Sequence, residues 1–187
     1  TSLKNRNYLN DSMASWDESE IYPQSIIIID LNNVAYINDN YGHEEGDNVI
    51  KKAANILIIN QLENTDIIRT DGNEFLIYIV GYDEKDVISY TRKIYKELKD
   101  LPHGFGSAIG YSMIYDDIKT IDDAINIHSN YYVFDSINGY ELTAICLGQS
   151  YAFKIFDVND DIAIYNGHSL EKIDEAKILN IKQEGKK

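Results

Sequence analysis

The stretch Ile26-Ile27-Ile28-Ile29-Asp30 constrains the fold more than any other part of this chain. Branching at Cβ crowds a helix and packs well on a pleated surface, so an isoleucine run favours extended backbone. Continuous apolarity, in place of alternation, marks a central strand covered on both faces. The run ends in a carboxylate, so that edge of the sheet presents a charge.

The other elements follow from periodicity. Residues 48–60 read as a helix with Ile50, Ala53, Ala54 and Leu57 on one face. Residues 66–70 and 74–80 read as two strands. Asp71-Gly72 between them predicts a type I′ hairpin with positive φ or close backbone approach at Gly72. Residues 83–98 form the clearest amphipathic helix, with Val87, Ile88, Thr91, Ile94, Tyr95 and Leu98 on one face. A strand is expected over 107–113 and a helix over 120–136, although Tyr131-Tyr132-Val133-Phe134 also has strand propensity. Beyond Gly139, short strands are expected over 141–147, 151–156 and 161–165. A terminal helix is expected over 170–181 after a Ser169 cap. This order gives an α/β fold of the α+β sandwich kind: a mixed central sheet with flanking helices, related to the ferredoxin-like plan.

Composition bounds the function. The chain has 187 residues, 44% of them apolar, enough for a real core. With 17 Lys plus Arg against 31 Asp plus Glu, the net charge is −14, which disfavours nucleic acid and anionic lipid. A nucleotide held through a divalent metal remains open, because the ion supplies the missing positive charge. The lone cysteine, Cys146, excludes an internal disulfide framework and a multi-cysteine zinc cluster. No apolar run approaches a membrane span, and the opening residues lack a signal-peptide pattern. The chain opens on Thr1 in place of methionine, and we read it as a piece of a longer protein.

Asp30 at a strand end and Asp71-Gly72-Asn73-Glu74 at a neighbouring hairpin tip bring acidic groups together. Such convergence is one way to hold divalent ions for phosphoryl transfer, and carboxylates at turns are also ordinary. Asp30-Leu31-Asn32-Asn33-Val34-Ala35-Tyr36-Ile37-Asn38-Asp39, followed by Tyr41-Gly42-His43-Glu44-Glu45-Gly46-Asp47, resembles the D-x-D-x-F-K-x-I-N-D-x-x-G-H-x-x-G-D stretch of the GGDEF family, the bacterial diguanylate cyclases. Thr1-Ser2-Leu3-Lys4-Asn5-Arg6 is similar to that family's opening T-G-L-x-N-R. Arg69 to Phe75 stands where the family has R-x-G-G-D-E-F, and Ala108-Ile109-Gly110 resembles its later S-I-G strand.

The resemblance implies the nucleotidyl-cyclase palm and an activity that joins two GTP molecules into cyclic di-GMP across a homodimer. It implies that Asp30 and the Leu31 carbonyl hold magnesium when nucleotide is bound, with Glu74 an acid beside the metals. Asn38 and Asp47 would read the guanine edge, with His43 and Gly72 lining the substrate pocket. Each residue alone also has a plain role open to it: Asn38, Asp39 and Gly42 as turn formers, His43 as a capping or packing side chain, Asp47 as an N-cap for the following helix.

The departures from the family pattern are as informative as the matches. The third signature position, an acid that binds metal and helps activate the attacking hydroxyl, is Asn73. An amide accepts no proton near neutral pH and is a poorer magnesium ligand than a carboxylate. The first signature glycine is Asp71, the second aspartate of the first strand is Asn32, and the nearby lysine is Ala35. Aligning Asp122 to Gly139 with the family's last helix puts Ser136 at a phosphate-binding lysine and Tyr140 at an arginine. Leu62 and Thr65 replace the product-inhibition R-x-x-D.

The chain therefore reads as a degenerate GGDEF domain over residues 1–148, with a C-terminal extension of extra strands and a helix over 149–187. Three functions stay open: a catalytically inactive module that binds GTP or a related guanine nucleotide, an active cyclase with a divergent signature, and a purely structural dimerisation domain. A cytoplasmic location is expected, with membrane contact only through an upstream segment.

Overall fold

The computed structural model describes residues 3–128 and the strands 133–137, 140–147, 150–156 and 162–167, with side-chain environments over 3–125. A two-residue strand, β1 (Lys4–Asn5), leads into helix α1 (Arg6–Asp17). Asn5 caps α1, its side chain accepting the Tyr8 N–H at 3.0 Å. The isoleucine run lies in β2 (Gln24–Leu31). Helices α2 (Val34–Tyr41) and α3 (His43–Ile59) follow, then the hairpin of β3 (Thr65–Arg69) and β4 (Glu74–Val80). Helix α4 (Glu84–Lys99), N-capped by Asp83, then precedes β5 (Ser107–Ile114) and α5 (Ile121–His128).

The five strands form one mixed sheet in the order β1-β3-β4-β2-β5. β1 runs parallel to β3, and the other neighbours are antiparallel. β2 is an interior strand, and its successive side chains point to opposite faces. Ile27, Ile29 and Leu31 enter one core with Phe75, Ile77, Ile109 and Tyr111 under α3 and α4. Ile26 enters the other core with Leu9 of α1, Leu76, Tyr78 and Ala124 of α5. Helices on both faces explain why the run is apolar without alternating. Helices α1 and α2 were not foreseen from periodicity, since α1 buries only Leu9 and α2 only Val34 and Ile37.

Two expectations are corrected at the C-terminal side. The helix expected over 120–136 ends at His128, and Val133–Ile137 is a strand, β6. The β-branched and aromatic character of Val133 and Phe134 prevails there. β6 begins a second antiparallel sheet that continues through β7 (Tyr140–Leu147), β8 (Ser150–Phe156) and β9 (Ile162–Gly167). β7 and β8, on either side of the expected 148/149 division, pair with Leu147 opposite Ser150. Ser136 and Tyr140 stand on β6 and β7, so neither occupies a helix as the alignment required. The helix expected over 170–181 lies outside the described residues.

Candidate nucleotide and metal site at the hairpin edge

Asp30, near the end of β2, is the cross-strand partner of Glu74 on β4 and of Ala108 on β5. Residues 70–73 connect β3 to β4. The Thr70 and Asp71 N–H groups both donate to the Glu74 carbonyl, at 3.0 and 3.5 Å. The Arg69 guanidinium donates to the Gly72 carbonyl through Nη2 at 2.7 Å and Nε at 3.2 Å. The Gly72 N–H donates to Asp71 Oδ1 at 2.7 Å. Gly72 lies outside the left-handed region, and no other part of the chain approaches within 4 Å of a side chain built there. The expected type I′ turn is therefore replaced by a four-residue loop. Side chains of Arg69 and Asp71 satisfy its backbone groups, so a tight two-residue turn is not needed.

Asn73 reaches from this loop to β2. Its Nδ2 donates to Asp30 Oδ1 at 2.8 Å and to the Leu31 carbonyl at 3.1 Å. The Leu31 N–H returns a bond to the Asn73 carbonyl at 2.9 Å. Glu74 turns back into its own hairpin, its Oε1 accepting the Thr70 hydroxyl at 2.6 Å. Burial, with Glu74 and then Asp71 adding like charge, holds the Asp30 carboxyl above the ordinary carboxylate range.

The residues implied to read guanine lie at the α2–α3 corner. Asn33, in the left-handed region at φ 58°, opens α2, and Gly42, at φ +92°, separates α2 from α3. His43 is the first residue of α3 and is exposed, so it does not pack in a core. The helix begins there and not at Asn48, which places Asp47 inside it, exposed, and removes the N-cap role open to Asp47. Asn38 lies against Gly46: a Cβ at Gly46 would overlap Asn38 Oδ1. That contact sets Asn38 one residue from Asp47, so the two residues implied to read guanine occupy adjoining helices.

Sequence reasoning missed three supports of this edge. Arg69 closes the hairpin loop, and its place in the signature was the available signal. Asn32 Nδ2 donates to the Phe105 carbonyl at 3.1 Å, tying the loop before β5 to the end of β2. His103 Nε2 lies 3.0 Å from Glu45 Oε1, with the Tyr41 ring 4.4 Å from the His103 ring. The hydrogen bonds from His103 and Asn48 hold the Glu45 carboxyl below its usual value. His103 and Glu45 are 58 positions apart, and no local pattern links them.

The donors present do not fit a magnesium ion. Among the described residues, no group of three or more His, Cys, Asp or Glu side chains could hold one. An N–H donor already points at both Asp30 and the Leu31 carbonyl.

The sheet order, the helices on both faces, and the carboxylate of β2 beside a signature-bearing hairpin define a nucleotidyl-cyclase palm. The chain belongs to the GGDEF family: the profile described as "Diguanylate cyclase, GGDEF domain" matches residues 1–126. Diguanylate cyclase DgcS of Shewanella oneidensis is 34% identical over 85 residues, 43% of this chain and 28% of its own length. Diguanylate cyclase DosC of Escherichia coli is 29% identical over 72 residues, 38% of this chain and 16% of its own. The chain thus spans under a third of the length of these curated relatives. The active GGEEF domain of a diguanylate cyclase from Vibrio cholerae superposes with a TM-score of 0.62 at 24% identity, covering 68% of this chain and 87% of that one. The FimX GGDEF domain from Pseudomonas aeruginosa gives 0.60 at 18%, covering 67% and 84%. At these identities the structural likeness shows the fold alone. No helix among the described residues is long and apolar enough to cross a membrane.

Proposed function

We propose that this chain is a catalytically inactive GGDEF signalling domain. In this reading the α2–α3 corner takes GTP or a related guanine nucleotide, and the domain works as a homodimer within a larger sensor protein. The observation that carries the inactivity is Asn73, whose amide stands where the family places an acid and donates to Asp30 and Leu31. A positioned general base contributes ~10²–10⁴-fold, and an amide supplies none of it. Ala35, exposed on α2, also provides no cation for a phosphate. Support for a retained guanine pocket is the placement of Asn38 beside Gly46 and Asp47: a carboxamide and a carboxylate offer the donors and acceptors that match a guanine edge. We also propose that the GGDEF unit ends near residue 128 and that the β6–β9 sheet is an appended unit.

Incubation with GTP and magnesium, followed by chromatography, is expected to yield no cyclic di-GMP. Calorimetric titration with GTP is expected to show binding that Asn38→Ala abolishes. Turnover by the unmodified chain overturns the inactive reading. Absence of GTP binding leaves the domain a dimerisation module.

A further inference from the structure

We infer that the Asn73 carboxamide takes the place of a cation at this edge, so the site is closed by a neutral donor and binds no divalent ion. The inference rests on the degenerate-signature reading above and goes beyond it, because it concerns how the fold is held and not only whether it turns over substrate.

The orientation of the amide is set by its partners. Asp30 Oδ1 and the Leu31 carbonyl only accept at neutral pH, so the NH₂ end, not the oxygen, must face them. The backbone bond from Leu31 N–H to the Asn73 carbonyl, at 2.9 Å, keeps the loop against β2. A carboxylate at position 73 in the same pose would put an oxygen 2.8 Å from Asp30 Oδ1 and 3.1 Å from the Leu31 carbonyl oxygen. Three oxygens at that spacing repel one another unless a cation lies between them. At the ~2.0–2.1 Å bonds of an octahedral magnesium site, neighbouring oxygens stand about 3 Å apart. The same backbone therefore calls for an ion when residue 73 is an acid and excludes one when it is an amide. Glu74 commits one oxygen, Oε1, to the Thr70 hydroxyl at 2.6 Å and so turns toward its own hairpin.

The test uses manganese without nucleotide, followed by calorimetry and electron paramagnetic resonance, and melting temperature in EDTA and in magnesium. The unmodified chain is expected to melt at the same temperature in both buffers. Any manganese it binds should persist unchanged in Asp30→Ala. Asn73→Asp is expected to melt lower than the unmodified chain in EDTA, to recover in magnesium, and to bind manganese ~10-fold or more tighter through its added charge. Asn73→Ala, which removes the amide without adding charge, is expected to lose stability in both buffers. Manganese bound by the unmodified chain and lost in Asp30→Ala overturns the inference, as does an Asn73→Ala protein as stable as the original. None of these readouts needs GTP. Cyclic di-GMP synthesis would therefore sink the functional reading, whereas manganese at Asp30 would sink this one.

Discussion

Gly46 shows how a single position is decided by a neighbour on another helix. A glycine inside a helix normally costs ~1 kcal/mol against alanine. At Gly46 that gain is offset, because the methyl group would overlap Asn38 Oδ1 and the half-buried Asn38 side chain has to turn aside. Gly46→Ala is expected to change stability by less than ~1 kcal/mol while displacing Asn38 from the corner. In an Asn38→Ala background the same substitution should show the full helix gain, and urea unfolding of the two single variants and the double variant measures the coupling. Spacing and family resemblance single out Asn38 and Asp47, and the structure places them on adjoining helices. The reason for the glycine between them was not legible, since it lies in a contact between two helices. Asn73 was legible as a lost acid, but its two bonds to β2 needed the register that brings Asp30 opposite Glu74.

Among the elements, β2 was the most legible, and α1 and α2 the least, since each buries too few residues to show a stripe. An isoleucine run has one comfortable backbone state and one place in a sheet, so its strand and burial could be read directly. Its two faces are not equally closed: Ile27 is fully buried, while Ile28 is only partly so. Ile27→Ala is expected to cost ~2–5 kcal/mol by opening a cavity in the larger core. Ile28→Ala should cost clearly less, and denaturant unfolding followed by the fluorescence of Trp16 compares them. Trp16 suits this use because its ring stacks on Tyr78 at 3.9 Å and loses that neighbour when the sheet opens. Helix α4 was readable because its stripe is wide, with Val87, Thr91, Ile94, Tyr95 and Leu98 all buried. The segment after His128 was not, because helical spacing and strand propensity overlap there and only pairing with β7 decides between them.

For the molecule as a whole, buried phenols set an upper limit on the pH range of the fold. Burial pushes Tyr90 up to about 12, with Glu97 adding to the shift. Burial likewise pushes Tyr111 and Tyr78 upward, helped by Glu84 and Asp66 respectively. The native state keeps these protons longer than the unfolded chain does. Their contribution to stability is therefore fully present below the ordinary phenol value of 10.0 and is lost as pH rises from there toward about 12. An alkaline titration is expected to show part of the phenolate absorbance appearing only with unfolding, and a smooth titration of every tyrosine in the folded state would contradict it. The bridge from Asn73 to β2 has a consequence in the genetic code. Codons for aspartate and asparagine differ in one base, so the two side chains at position 73 are a single mutation apart. The amide is held by two bonds to β2 with no ion between them. On the inference drawn above, an acid in the same place would lean on magnesium, so one base would decide whether this edge depends on a metal.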